Sequence, residues 1–214
     1  MRLLQFLLRP IYYLLYHQLA WTYDFVAALV SLGHWNEWVA ATLPYIHGER
    51  VLEIGHGPGH LQLALQERGC QTFGLDESRQ MSRQARRHLL RKGIITNLTR
   101  GLAQRLPYAS GTFHSVALTF PSEYIFDPKT LTEIQRVLKP GGELVILPFA
   151  WLIGRRPLEK TAAWLLRVAG EVPGKPGELD ARLISRFAHA GLEVRQDIIQ
   201  QGVSLLLFII AEKK

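Results

Sequence analysis

Glu53, Gly55, Gly57 and Gly59 occupy alternate positions in the run Val51-Leu-Glu-Ile-Gly-His-Gly-Pro-Gly-His60, and Asp76 follows in Gly74-Leu-Asp-Glu77. Glycines in a tight turn let a ligand approach the backbone, because no Cβ intervenes and positive φ is open to them. An acid about twenty residues beyond the first glycine is where a doubly wound fold offers a carboxylate to ribose hydroxyls. A dinucleotide fingerprint, G-x-G-x-x-G, would place its last glycine where this chain has His60. Glu53, two residues ahead of Gly55, would repel a pyrophosphate and suits a ligand with a cationic end. The set asks for a ribose-bearing cation, and S-adenosylmethionine, with its ammonium, sulfonium and ribose, meets that description. Glycines that serve packing alone would leave the arrival of Asp76 unexplained.

The elements that must hold these residues follow from hydrophobic periodicity. Strands are expected over 51–55, 71–75, 96–101, 113–120 and 142–149, the last launched by Gly141-Gly142. Helical patterns between them cover 59–68, 79–91 and 128–138, and two more, over 11–20 and 24–43, precede the first strand. The composition changes from Ala150 to Gly177, with a helical run at 158–168 and then Pro173-Gly-Lys-Pro-Gly177. A helix over 179–190 ends at Gly191, and the runs 192–199 and 203–211 flank Gln200-Gln-Gly202 as a hairpin. Strands alternating with helices predict an α/β sheet, with the ligand beyond the carboxyl ends of the strands, at the switch between the first and fourth. Glu53 to Gly59, Asp76-Glu77, Leu102-Ala103-Gln104 and Phe120 to Tyr124 gather there.

The segment 49–150 resembles the class I S-adenosylmethionine-dependent methyltransferases, in particular their ubiquinone/menaquinone-biosynthesis-like (type 11/25) subgroup. Besides the glycine turn, Gly101-Leu-Ala-Gln-Arg-Leu-Pro107-Tyr-Ala-Ser-Gly111-Thr-Phe113-His114-Ser-Val116 is similar to the family's G-D-A-x-x-L-P-F-x-D-G-S-F-D-x-V block. Leu131 to Gly142 resembles its E-x-x-R-V-L-K-P-G-G helix and turn, and Tyr23-Asp24 its Y-D ahead of the core. The resemblance implies a Rossmann-like three-layer sandwich. Its seven-stranded, mostly parallel sheet has the order 3-2-1-4-5-7-6, with the last pair closing it antiparallel. It further implies that Glu53 holds the methionine ammonium, that Gly55 and Gly57 admit the cofactor backbone, and that Met81 packs near the adenosine or in the core. Tyr23, His56, Gly59, Glu77, Leu102, Ala103, Gln104 and Phe120 complete the expected cofactor surroundings. Three positions depart from the family pattern: Leu102 replaces the acid that meets the adenine amino group, while Ser110 and His114 replace two other acids.

At 214 residues with 48% hydrophobic content, the chain suits one domain. We divide it into an N-terminal helical cover (1–48), a cofactor core (49–150), a substrate cap (151–178) and a closing helix and hairpin (179–214). The lone Cys70 excludes an internal disulfide and reads as a small buried residue; no metal site is expected, because His56 and His60 are separated by a glycine turn. The net charge of +7 concentrates on Arg79, Arg83, Arg86, Arg87 and Arg91, one outward helix face; without a nucleic-acid module, a solvated face takes precedence over RNA or anionic lipid. Residues 1–20 are apolar and aromatic with Arg2, Gln5 and Arg9 to one side, which reads as a cleft cover or a helix on a membrane surface. A cytoplasmic protein, peripheral at the membrane if that helix docks, is the expectation.

Methyl transfer from a sulfonium requires little beyond in-line positioning and exclusion of water. Glu123, Tyr124, His56 and Asp127 are the candidate bases for a hydroxyl acceptor, Asp127 doubling as a helix cap. The apolar cover and cap, with Arg155 and Arg156, point to an apolar acceptor such as a quinone precursor, a fatty acid or a lipid. The rival readings are an RNA methyltransferase and a non-catalytic protein that binds S-adenosylmethionine or lipid.

Overall fold

The computed structural model describes residues 31–95, 97–154, 156, 161 and 181–214. The expectations for Tyr23, for the segment 1–20 and for the helix of the cap lie outside the described residues.

The sheet order is β3-β2-β1-β4-β5-β7-β6, as the resemblance implied. Its strands are β1 (Arg50–Ile54), β2 (Gln71–Asp76), β3 (Leu98–Arg100), β4 (Phe113–Thr119), β5 (Leu138–Leu152), β6 (Leu192–Gln201) and β7 (Ser204–Lys213). The helices are α1 (Trp35–Ala40), α2 (His60–Glu67), α3 (Arg79–Arg91), α4 (Pro128–Val137) and α5 (Ala181–His189). Strands β1 to β5 pair in parallel, and β7 runs against both β5 and β6. Parallel strands covered on both faces read as continuous apolar runs, which is why Val51 to Ile54 are all buried.

Strand alternation then sorts the side chains onto two faces. Leu52, Ile54, Val116, Leu118, Leu144 and Ile146 join Leu131, Ile134 and Val137 of α4 and Phe187 of α5. Val51, Ala117, Val145 and Leu147 meet Leu61 and Leu65 of α2 and Trp38 and Val39 of α1. The carboxylate of Glu53 belongs to this second face, under α2, where it is 2% exposed.

Four expectations are corrected. The helix read over 24–43 is interrupted: Leu32 and Gly33 both take positive φ, +54° and +87°, and α1 starts only at Trp35. Strand β5 begins at Leu138 and not at 142, pairing with Phe113 before residues 139–142 bulge out and Glu143 meets Ser115. Gly142 fits that bulge because a methyl group there would stand 2.9 Å from the Lys139 carbonyl oxygen. The far end of β5 continues to Leu152 through a second bulge, where Leu147 and Pro148 face Phe208 alone; proline has no N–H to give β7. Cys70 is only partly buried, beside the Gly48 carbonyl.

Candidate active site

The order reverses between β1 and β4, and beyond the carboxyl ends of those strands lies a cleft lined by Trp35, Glu53, Gly55, His56, His60 and Thr119, among others. The register sets Glu53 level with Gly74 of β2 and Ala117 of β4. Beyond β1 the chain turns through Gly55, Gly57 and Gly59 with φ of +74°, +50° and +88°, a conformation that side-chain-bearing residues rarely adopt.

Each glycine has its own neighbour. A methyl group at Gly55 would stand 2.7 Å from the Tyr124 hydroxyl oxygen; one at Gly59 would press on Ala85 at 3.2 Å, while at Gly57 nothing lies within 4 Å. Gly59 thus serves the packing of α3 against the start of α2, and Gly55 leaves room above the turn. Met81 is fully buried on the inner side of α3.

Asp76 is 2% exposed and ties the turn to α3. Its Oδ2 accepts the Gly57 N–H at 3.0 Å and its Oδ1 the Ser78 N–H at 2.8 Å. A carboxylate has about four lone-pair positions, so acceptor capacity remains on both oxygens. Ser78 in turn caps α3, its Oγ accepting the Met81 N–H at 3.3 Å.

Glu53 is held differently. Its Oε2 accepts from Gln62 Nε2 at 2.8 Å, and the same amide donates to the Phe73 carbonyl at 3.2 Å. Burial without a cation pushes its carboxyl up to about 8, with the Asp76 charge adding to the rise and the Gln62 bond opposing it. A positive group beside it would favour the charged form. His56 lies under the turn, 2% exposed, its imidazole in space that only Gly74 leaves open. Its Nδ1 faces the Gly57 carbonyl at 2.8 Å, which assigns the proton there, and its buried Nε2 has no hydrogen-bond partner. Burial lowers its pKa, against the pull of Asp76, so the ring is neutral and Nε2 is an acceptor. That position suits support of the turn and a bound ligand better than the catalysis also considered for it.

The end of β4 is aromatic. Phe120 takes φ of +49°, an outlier for a bulky residue, and its ring lies 4.4 Å from that of Trp35 and 6.0 Å from that of Trp38. The Phe120 N–H is anchored on the Leu147 carbonyl at 2.7 Å, and Trp38 Nε1 on Ser204 Oγ at 3.0 Å. Glu123 is exposed; Asp127 accepts the Lys129 N–H at 3.0 Å and caps α4. At the third strand's end Leu102 is 55% exposed beside the buried Ala103 and the half-buried Gln104, while Glu77 is exposed. The Arg136 guanidinium grips that region, donating to the Leu106 and Tyr108 carbonyls, and Glu133 accepts the Leu106 N–H. His114 has a structural task, its Nδ1 accepting the Arg50 N–H at the start of β1.

Sequence reasoning missed Gln62, Trp35 and Trp38. Gln62 carried a signal, since it is a polar residue beside Leu61 on the buried side of α2. The tryptophans carried none beyond their spacing. Among the described residues no cluster of three or more His, Cys, Asp or Glu is placed to hold a metal ion.

The switch point thus holds a glycine turn flanked by two buried acids, Glu53 and Asp76. A family profile described as "Methyltransferase domain" matches residues 51–142. The chain is 31% identical over 204 residues to the ubiquinone/menaquinone biosynthesis C-methyltransferase of Cupriavidus necator, covering 83% of this chain and 82% of that protein. It is 30% identical over 161 residues to the demethylmenaquinone methyltransferase of Thermobifida fusca, covering 72% of this chain and 67% of the other. Among solved structures, the YcgJ protein of Bacillus subtilis matches the fold with a TM-score of 0.61 at 17% identity, over 83% of this chain and 98% of that one. The chain belongs to the class I S-adenosylmethionine-dependent methyltransferases, in their ubiquinone/menaquinone C-methyltransferase-like group.

Proposed function

We propose that the chain methylates a small apolar acceptor of the quinone-precursor type, in line, from S-adenosylmethionine. The observation that carries this reading is the contrast within one cleft: the buried acid Glu53 and the Trp35 ring both line it, and Phe120 lies against Trp35. An aromatic wall receives a flat apolar molecule and excludes water. The names of the relatives from Cupriavidus necator and Thermobifida fusca support the same acceptor class.

When bound, S-adenosylmethionine supplies a methyl group on a sulfonium, a leaving group that needs no further activation. The residues fit it. Glu53 balances the ammonium and Asp76 accepts from the ribose hydroxyls while keeping Gly57 and Ser78 in place. His56 braces the turn from below. Leu102 offers an apolar wall where a polar adenine partner is common, which leaves adenine recognition to backbone groups near Ala103. Tyr124, whose hydroxyl reaches the glycine turn, orients the acceptor's oxygen.

The test is transfer of labelled methyl from S-adenosylmethionine to a panel of reduced demethylmenaquinone, a fatty acid and RNA. Label in the quinone-type acceptor supports the proposal. Label in RNA, or a cofactor that binds without turnover on any acceptor, refutes it in favour of one of the two rival readings.

A further inference from the structure

The whole net charge of the chain sits in one segment. There are 25 Lys and Arg against 18 Asp and Glu, an excess of seven, and between Arg79 and Arg100 stand seven cations and no carboxylate. All seven are exposed. At about 100° per residue, Arg79, Arg83, Arg86, Arg87 and Arg91 share one side of α3. The opposite side buries Met81, Ala85 and Leu89. The ion pairs among the described residues engage other cations.

Two aliphatic side chains decide what such a face is for. Leu90 falls in the middle of the arginine stripe and is 57% exposed; Ile95, just beyond the helix, is 84% exposed. A surface that serves only solubility mixes both signs of charge and keeps large apolar groups out. A face for single-stranded nucleic acid sets aromatic rings among its cations, and there is no Phe, Tyr or Trp between residues 79 and 100. Guanidinium groups around aliphatic side chains match an anionic bilayer, with head groups outside and the acyl boundary just beneath.

We propose that the exposed face of α3, with Leu90 and Ile95, docks the chain on an anionic phospholipid surface. The inference does not depend on the acceptor. Because α3 starts three residues after Asp76, the docking element is continuous with the proposed cofactor turn.

The experiment is flotation of the full chain with vesicles of phosphatidylcholine alone or mixed with phosphatidylglycerol, at low and high salt. Binding is expected only to the mixed vesicles and is weakened by salt, which screens exposed charges. Replacing Arg83, Arg86, Arg87 and Arg91 together by Gln should weaken it on the order of a hundred-fold or more, at roughly five-fold per cation. The variant Leu90→Ser with Ile95→Ser should weaken vesicle binding about ten-fold and leave any RNA binding unchanged. Both variants alter exposed positions, and an unchanged affinity for S-adenosylmethionine shows that they fold. Wild-type flotation by the arginine variant would overturn the proposal, as would RNA binding without vesicle binding.

Discussion

At the ends of β1 and β2 the polar atoms are held by backbone and side-chain amides of the turns and helices that follow, whereas at the end of β4 aromatic side chains are held by one another. Asp76 receives two backbone N–H groups, from Gly57 in the turn after β1 and from Ser78 at the start of α3, and Glu53 a side-chain amide N–H from Gln62. Phe120 instead leans on Trp35, from the helix ahead of the sheet, and that cluster is pinned through Trp38 to Ser204 of β7. The polar half is thus pre-organised by residues close in sequence, and the aromatic half by residues scattered along the chain. A cofactor common to a family fits the first arrangement; an acceptor that varies between relatives fits the second.

The largest effect should come from the polar half. Asp76→Ala removes the acceptor of two amides and the group facing ribose. Calorimetry should show S-adenosylmethionine affinity falling at least a hundred-fold, and urea denaturation a loss of about 2–4 kcal/mol. The glycines separate strain from packing. Gly59→Val meets both a φ of +88° and Ala85 at 3.2 Å and should cost about 3 kcal/mol of stability. Gly57→Ala, with open space around it, should cost about 1 kcal/mol; equal losses would break the distinction. The smallest effect belongs to the aromatic half. Trp35→Ala should raise the acceptor KM about ten-fold, from one lost stacking and burial contact, and leave cofactor affinity within about two-fold. A comparable loss of cofactor affinity would mean that the two halves are not separate.

The legibility of the sequence follows the same division. The glycine turn, Asp76 and the strand–helix alternation up to α4 were readable because a strand, a turn and a capped helix are set by neighbours in sequence. The order of the sheet came from family resemblance and not from periodicity. Gln62 escaped because only the register of α2 over Glu53 gives its amide a purpose. Trp35 and Trp38 escaped because their meeting with Phe120, which the sequence did place at the site, depends on contacts across more than eighty residues. The starts of α1 and β5 were misplaced for a local reason: positive φ at Leu32 and the bulge at 139–142 are backbone choices that hydrophobic periodicity does not record.

Glu53 provides the most direct test. With its carboxyl pushed up to about 8 from an ordinary 4.5, the folded chain holds a proton that the unfolded chain has lost between those pH values. Stability from this group is therefore complete below pH 4.5 and falls as pH rises to about 8. A bound ammonium reverses the preference and favours the carboxylate. Calorimetric titration with S-adenosylmethionine at pH 7, in two buffers of different ionisation enthalpy, reads that change. The account predicts that the wild type releases up to about one proton on binding, and that Glu53→Gln binds more weakly and releases none. Binding with no proton release, or the same release from Glu53→Gln, would contradict it.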